Sequence, residues 1–356
     1  MLGAGIVLSV TAQALAGAVE TIRRIRFQSL QRKRMAELLD LRLRAARQRF
    51  VEEEQKSLHW MGWRKFQVRW KRYEDPLRGI SSFYLVPHDG KAIPAFEPGQ
   101  FLTFQLKIAG QLKPVVRCYS LSDSAKPDYY RVSIKRLKAP PGTDFPAGIS
   151  SSFFHDHVNE GDILDVRAPA GKFFLDMASE RPVVLIGGGV GITPVLSMLN
   201  AIVESGSRRE TWFFLGVRNK AEHPFKEHLE TIAHTYENVR LRVCYSHPDE
   251  GAAAGTDYHF AERVSVELMR RLLPSNNYDF FFCGPTPMMD TLLADLKGWG
   301  VPEERIHYEK FGPGHEKKKV KAEVVPAAAA GATFEVTFVK AGKKLVWGAG
   351  AGSILE

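Results

Sequence analysis

The stretch Pro182-Val183-Val184-Leu185-Ile186-Gly187-Gly188-Gly189-Val190-Gly191-Ile192-Thr193-Pro194 decides the reading of the chain. Its apolar half is the short run of a buried parallel strand, and Val195-Leu196-Ser197-Met198-Leu199 then opens a helix. Glycines between a strand and a helix N-terminus let a pyrophosphate approach the backbone, and Thr193 adds a hydroxyl there. Strand and helix patterns continue to alternate downstream. Thr211-Trp212-Phe213-Phe214-Leu215-Gly216 reads as a strand, the stretch from about Phe225 to Thr235 as a helix and Arg240-Leu241-Arg242-Val243-Cys244-Tyr245 as a strand, with a further helix near 260–273. Tyr278-Asp279-Phe280-Phe281-Phe282 then runs into Cys283-Gly284-Pro285-Thr286-Pro287-Met288-Met289. Residues 177–313 are therefore expected to form a parallel α/β domain that binds its ligand at the carboxyl ends of its strands, where both glycine-bearing loops fall. Cys283 is a thiol at the floor of that crevice or an inert buried cysteine.

Upstream, residues 59–176 have a different texture. Lys65-Phe66-Gln67-Val68-Arg69-Trp70 and Phe101-Leu102-Thr103-Phe104-Gln105-Leu106 alternate polar and apolar, the period of half-buried strands. Turn signals at Pro76, Asp89-Gly90, Pro98-Gly99 and Ala109-Gly110 recur without a long helical pattern, as in a small antiparallel barrel. Within this unit stand Arg117-Cys118-Tyr119-Ser120, then Arg131-Val132-Ser133-Ile134-Lys135, then Gly148-Ile149-Ser150-Ser151-Ser152-Phe153-Phe154-His155. An Arg and a Tyr two apart on a strand project to one side. A phosphorylated aromatic cofactor needs that pair, a forked cation for phosphate and a flat ring for the heterocycle. The serines after Gly148 begin a short helix whose free N–H groups suit a phosphate, or simply cap it.

The chain has 356 residues and a formal charge of +9, with 44% hydrophobic and 25% charged residues, which excludes wholesale disorder, collagen and a polytopic membrane bundle. Three cysteines, Cys118, Cys244 and Cys283, are too few for a disulfide framework or a closed zinc site, so a reduced, cytosol-facing protein is expected. Residues 1–58 hold 11 Lys/Arg against 6 Asp/Glu and residues 314–356 hold 7 against 4, leaving 31 against 30 in the central 59–313. A nucleic-acid enzyme would carry its basic excess on the folded body. Here it lies in the flanks.

From Leu2 to Val19 there is no charged residue, and Arg23, Arg24, Arg26, Arg32, Lys33 and Arg34 follow. The positive-inside rule makes residues 2–19 an anchor with the body on the cytoplasmic face of a membrane. Competing readings are a cleaved signal peptide, with Ala14-Leu15-Ala16 as its cleavage site, and a soluble helix. Residues 20–58 then read as one long basic helix. At the other end, 314–332 is a lysine- and alanine-rich linker, and Thr333-Phe334-Glu335-Val336-Thr337-Phe338 and Lys343-Lys344-Leu345-Val346-Trp347 read as two strands before Ser353-Ile354-Leu355-Glu356.

Taken together, Arg117-Cys118-Tyr119-Ser120, the glycine loop from Gly187 to Pro194, Cys283-Gly284-Pro285 and Glu309-Lys310-Phe311-Gly312-Pro313, in this order, resemble the ferredoxin–NADP reductase superfamily. They look most like the reductase halves of flavohaemoglobins and of bacterial oxygenase systems, over about 60–313. The resemblance implies an α+β chain in which an antiparallel flavin-binding β-barrel is followed by a Rossmann-like domain. It implies that Arg117 holds the flavin phosphate, that Tyr119 stacks on the ring with Ser120 near its N5, and that Cys118 lies on the same strand. Ile134, Lys135, Gly148 and Ser151 would meet the ring edge and pyrophosphate. Gly188, Gly189, Gly191, Thr193, Pro194, Gly284, Pro285 and Met288 would line the pyridine-nucleotide site, Cys283 would lie beside the nicotinamide, and Phe311 would cover the other flavin face. Ser120, Cys283, Glu309 and Phe311 are the implied catalytic set. Arg218 is a candidate for a 2′-phosphate. Phe101 departs from the Tyr usual in flavohaemoglobins.

The implied activity is transfer of hydride from NADH or NADPH to FAD, and then of electrons to an iron–sulfur cluster or a downstream redox partner such as a ferredoxin or oxygenase. The C-terminal strands look like the opening hairpin of a plant-type [2Fe–2S] ferredoxin domain. The cysteines such a cluster needs are absent, so it is expected only if the chain continues past Glu356. A free-flavin or ferric reductase of the same fold and a membrane-associated scaffold are the rival readings. Neither a bound metal nor a nucleic-acid partner is expected.

Overall fold

Alternation over 64–170 and buried apolar runs over 183–310 should give an antiparallel and a parallel sheet, and a computed structural model of the chain has both. It describes residues 17, 23–24, 31, 33–44, 46, 58–139, 142, 146–311, 333–338 and 343–348. The chain divides into a unit Met1–Lys310 and a unit Phe311–Glu356.

The first sheet comprises β1 (Arg64–Tyr73), β2 (Ile80–Pro87), β3 (Phe101–Leu106), β4 (Val115–Ser120), β5 (Tyr130–Lys135) and β6 (Ile163–Ala170), in the order β4-β3-β6-β1-β2-β5. An antiparallel bridge from Leu121 to Val132 joins the two outer strands, closing the sheet as a barrel. Its inward residues Phe66, Val68, Phe83, Leu85, Leu102, Phe104, Tyr130 and Val132 are fully buried, as the period of two requires. A helical run at 33–44 (α1) precedes the barrel. The helix α2 (Ile149–His157) plugs the barrel with Phe154, whose ring meets Phe83, Phe104 and Tyr119 edge-on at 5.2–5.3 Å. At its far end Lys71 donates from Nζ to the carbonyls of His155 (2.8 Å) and Val158 (2.7 Å), satisfying acceptors that a helix C-terminus leaves open.

The second sheet is wholly parallel. It contains β7 (Val183–Gly188), β8 (Thr211–Val217), β9 (Val239–Tyr245), β10 (Asp279–Gly284) and β11 (Ile306–Lys310), in the order β11-β10-β7-β8-β9. Helices α3 (Ile192–Glu204) and α4 (Lys226–Thr235) bury one face, and α5 (Val266–Leu272) and α6 (Thr286–Gly298) bury the other. Central β7 is buried at every position, which is why it reads as an uninterrupted apolar run.

Two expectations shift. Phe225 does not open α4 as a helical residue; it precedes the helix in the left-handed region (φ 56). The helix expected near 260–273 is only Val266–Leu272, started by Ser265, whose Oγ accepts from Leu268 N. The residues before it serve the exposed edge of β9 instead, Phe260 accepting from Tyr245 N and donating to Val243 O.

In α1 every side chain is exposed, Leu38, Leu41 and Leu43 included, and Asp40 pairs with Arg44 at 2.6 Å. Among the described residues no helix is long and apolar enough to cross a membrane, and of the expected anchor at 2–19 only Gly17 is described. In the C-terminal unit β12 (Thr333–Phe338) and β13 (Lys343–Gly348) pair antiparallel, as expected. The linker 314–332 and the helix start expected at 353–356 lie outside the described residues.

The glycine loop after β7 packs on the loop after β10. A Cβ on Gly191 would stand 2.2 Å from the carbonyl oxygen of Cys283, whereas Gly189, at φ +53, has open space around it. Gly189→Ala should therefore cost only the left-handed penalty of about 1–2 kcal/mol. Gly191→Ala should cost clearly more, because backbone must move; urea unfolding of both variants measures the difference.

Candidate functional site

Strand β4 pairs with β3 so that Phe101 faces Ser120, Leu102 faces Tyr119, Thr103 faces Cys118 and Phe104 faces Arg117. Arg117 and Tyr119 share one side of the pleat. The Arg117 guanidinium is exposed and donates only to the carbonyl of Val116 (2.8 Å); among the described residues no carboxylate claims it. Tyr119 is half-buried, pinned by Phe104 and Phe154, and burial pushes its hydroxyl up to about 12, so it stays neutral. Cys118 points to the opposite side, exposed and 3.4 Å from the Thr103 hydroxyl. The Phe101 ring is half-buried and occupies the space a Cβ on Gly171 would need.

Beside this strand lies the N-terminus of α2, preceded by Gly148 and capped by no side chain. Ser151 Oγ accepts from Leu137 N (3.1 Å) and donates to Gly148 O (3.0 Å), so its hydroxyl is spent on the local turn. Ser150 Oγ is buried and faces the Tyr119 hydroxyl. Free helix N–H groups fit a phosphate-bearing ligand, and the tight space at Gly148, where a Cβ would meet Ser151 Oγ at 2.7 Å, holds the backbone close. Neighbouring strand residues are otherwise engaged. The Ile134 side chain is in the barrel core, and its carbonyl is bonded to His155 Nε2 (2.8 Å), while Lys135 meets Glu222 at 3.4 Å. The side chain of Ile134 is thus not offered to a ring edge.

On the nucleotide side Gly188 and Gly284 lie against each other and against Met288: a Cβ on Gly188 would meet Met288 Sδ at 2.5 Å and Pro285 Cδ at 2.9 Å. These glycines serve loop-to-loop approach, and Gly189 alone leaves room above its backbone. Thr193 is buried and donates from Oγ1 to Val190 O (3.0 Å), so the hydroxyl expected at the pyrophosphate is committed to the turn; Pro194 is buried behind it. Arg218 is exposed, with no acidic partner among the described residues.

The two sides meet at Ser120, Cys283 and Glu309. Register places Cys283 next to Glu309. Burial raises the Glu309 carboxyl to about 7, opposed by the Ser120 side chain that faces it, and its Oε2 is buried without a partner. Cys283 is fully buried, and burial together with Glu309 holds its thiol well above the ordinary range, so it is neutral packing beneath the site rather than a nucleophile. Phe311 belongs to the separate C-terminal unit and is 38% exposed.

A flavin-type barrel joined to a Rossmann-like domain, with phosphate-ready helix ends on both sides of one seam, defines a two-domain flavin and pyridine-nucleotide oxidoreductase. Residues 82–175 match the oxidoreductase FAD-binding domain and 185–293 the oxidoreductase NAD-binding domain. The flavohemoprotein of Halalkalibacterium halodurans is 39% identical over 78% of this chain and 66% of its own length, and that of Bacillus thuringiensis subsp. konkukian is 43% identical over 74% and 64%. The flavohem-like FAD/NAD-binding domain of nitric oxide dioxygenase from Vibrio cholerae O1 biovar El Tor superposes with a TM-score of 0.62 at 34% identity, covering 71% of this chain and all of that one. The chain belongs to the ferredoxin reductase-type family of FAD- and NAD-binding oxidoreductases, and its domains are those of the flavohemoprotein reductases. It spans slightly less than two thirds of the length of these curated relatives.

Glu309 makes stability depend on pH. In the fold it keeps its proton up to about 7, while in the unfolded chain it loses it near the ordinary 4.5, so between these values the folded state binds more protons and stability falls as pH rises. Glu309→Gln should remove that part of the slope and stabilise the protein at pH 8; thermal unfolding from pH 5 to 8 measures it, and an unchanged slope would contradict the assignment.

Proposed function

We propose that this chain takes hydride from NADH or NADPH onto FAD and hands the electrons on to a redox protein. The observation that carries this reading is the seam itself: Ser120 from the barrel and Cys283 and Glu309 from the nucleotide domain converge where a flavin and a nicotinamide would have to meet. FAD bound there supplies the hydride acceptor and one-electron chemistry. The chain supplies binding and alignment. Arg117 offers an unclaimed forked cation for phosphate, and the uncapped α2 N-terminus offers free N–H groups. Tyr119, rigid and neutral, offers a ring face for stacking. Buried Cys283 keeps water from beneath the reacting pair, and Glu309 can hold or release a proton at its unpartnered Oε2 near neutral pH. In this reading the acceptor is a haem or iron–sulfur protein. Residues 2–19 and the basic run behind them support attachment to the cytoplasmic face of a membrane.

Purified protein reconstituted with FAD should be yellow and bleach on anaerobic NADH or NADPH, and protein that binds no flavin would sink the reading. Arg117→Ala should lower the retained flavin at least ten-fold with an unchanged melting temperature of the apoprotein, read by absorbance after gel filtration.

A further inference from the structure

The loop joining β4 to β5 carries charge into the interior. Asp123 and Arg131 are both more than nine-tenths buried and face each other at 3.6 Å (Nη1 to Oδ2). Arg131 also donates to Ser122, from Nε to Oγ at 3.2 Å and from Nη2 to the carbonyl, and Tyr129 donates to Asp123 Oδ2 at 2.9 Å. All of these are barrel residues. From the other domain Ser197 Oγ donates to the Asp123 carbonyl (2.6 Å) and Asn200 Nδ2 to its Oδ1 (2.8 Å), which also accepts from Ser124 N (2.9 Å), and Asn200 Oδ1 is in turn bonded to His228 Nε2 (2.8 Å). At the edge Ser124 and Lys126 hold Glu204 at 2.6 Å. On the other side of Arg131 lies Phe225, ring centroid 5.5 Å from the guanidinium carbon, in a left-handed conformation and donating its N–H to Glu74 O at 3.0 Å. A non-glycine residue keeps such a backbone only where its surroundings over-determine it.

We propose that this network is a latch that fixes the flavin strand relative to the nucleotide loop, with Asp123, Asn200 and Ser197 as positioning residues for hydride transfer. Its two ends are the site's own elements. Asp123 lies three residues beyond Ser120, the last residue of the flavin strand β4. Ser197 and Asn200 lie on α3, the helix that starts at the glycine loop. A rigid helix carries the position of Asn200 to Ile192 over about 12 Å, at 1.5 Å per residue. An apolar seam of the same shape would cost less to bury but could slide, whereas charged hydrogen bonds fix a register. Hydride transfer demands reacting atoms about 3–3.5 Å apart, and a 1 Å error costs about a hundred-fold in rate.

The inference rests on the proposed function, and the test separates the two. Asp123→Asn removes the charge at constant shape, and Ser197→Ala with Asn200→Ala removes the bonds while leaving the buried ion pair within the barrel. With the FAD-reconstituted full chain in anaerobic stopped flow, both variants should reduce flavin at saturating NADH or NADPH at least ten-fold more slowly. Flavin content and the half-saturating nucleotide concentration should stay within two-fold, and the primary deuterium isotope effect should rise. Wild-type rates in both variants would overturn the latch alone, as would slowing that only follows flavin loss and a fallen melting temperature. A wild-type flavin that neither nucleotide bleaches would overturn the proposed function, and the latch with it.

Discussion

The carbonyl oxygen of Cys283 stands where any residue but glycine at position 191 would place its Cβ, and much of the site depends on that contact. It brings the loop after β7 against the end of β10, backbone to backbone. The same contact sets where α3 begins, because Gly191 is the residue before Ile192. It also fixes Cys283, and through the β10–β11 register it fixes Glu309 beside it. Backbone packing thus decides where the one buried, partnerless carboxyl oxygen of the site lies.

The flavin side has a comparable constraint at the opposite end of α2. Helix N–H groups can serve a ligand only if the helix is held without using them. Phe154 in the barrel core and Lys71 on the terminal carbonyls do the holding, which leaves the first turn without a side-chain cap. The aromatic contact that seats Phe154 is also the one that immobilises Tyr119. Helix and ring are positioned by one cluster, so the phosphate end and the ring end of a flavin would be set by the same packing.

Local periodicity carried the two sheets, the glycine loop and the Arg117/Tyr119 pair into view, because each rests on residues adjacent in sequence. The finer roles depended on contacts between distant residues. Three serines follow Ile149, and only Leu137, fourteen residues upstream of Ser151, decides that Ser151 is spent on the local turn. Thr193 beside glycines suggests a ligand, yet Val190 takes its hydroxyl. Phe225 looks like the first residue of a helix, but its hydrogen bond to Glu74 and its packing on Arg131 hold it left-handed. The Asp123 network was invisible for the same reason, since Asn200 lies 77 residues away.

Two carboxyl groups, Asp123 buried and Glu309 half-buried, show how environment divides labour in one small region. Asp123 is desolvated, which favours its neutral form, but Arg131, Asn200 and Tyr129 outweigh that and hold it below its ordinary range as a permanent anion. Glu309 is desolvated too, yet meets only the Ser120 side chain and the neutral Cys283, and rises to about 7. A carboxylate held below its ordinary range can fix geometry, because its charge stays constant around neutral pH. A carboxyl poised near neutrality serves badly as a fixed strut but well as a proton reservoir beside a centre whose charge changes. The chain has placed the first where the domains meet and the second where the cofactors would, and the three-residue step from Ser120 to Asp123 joins them.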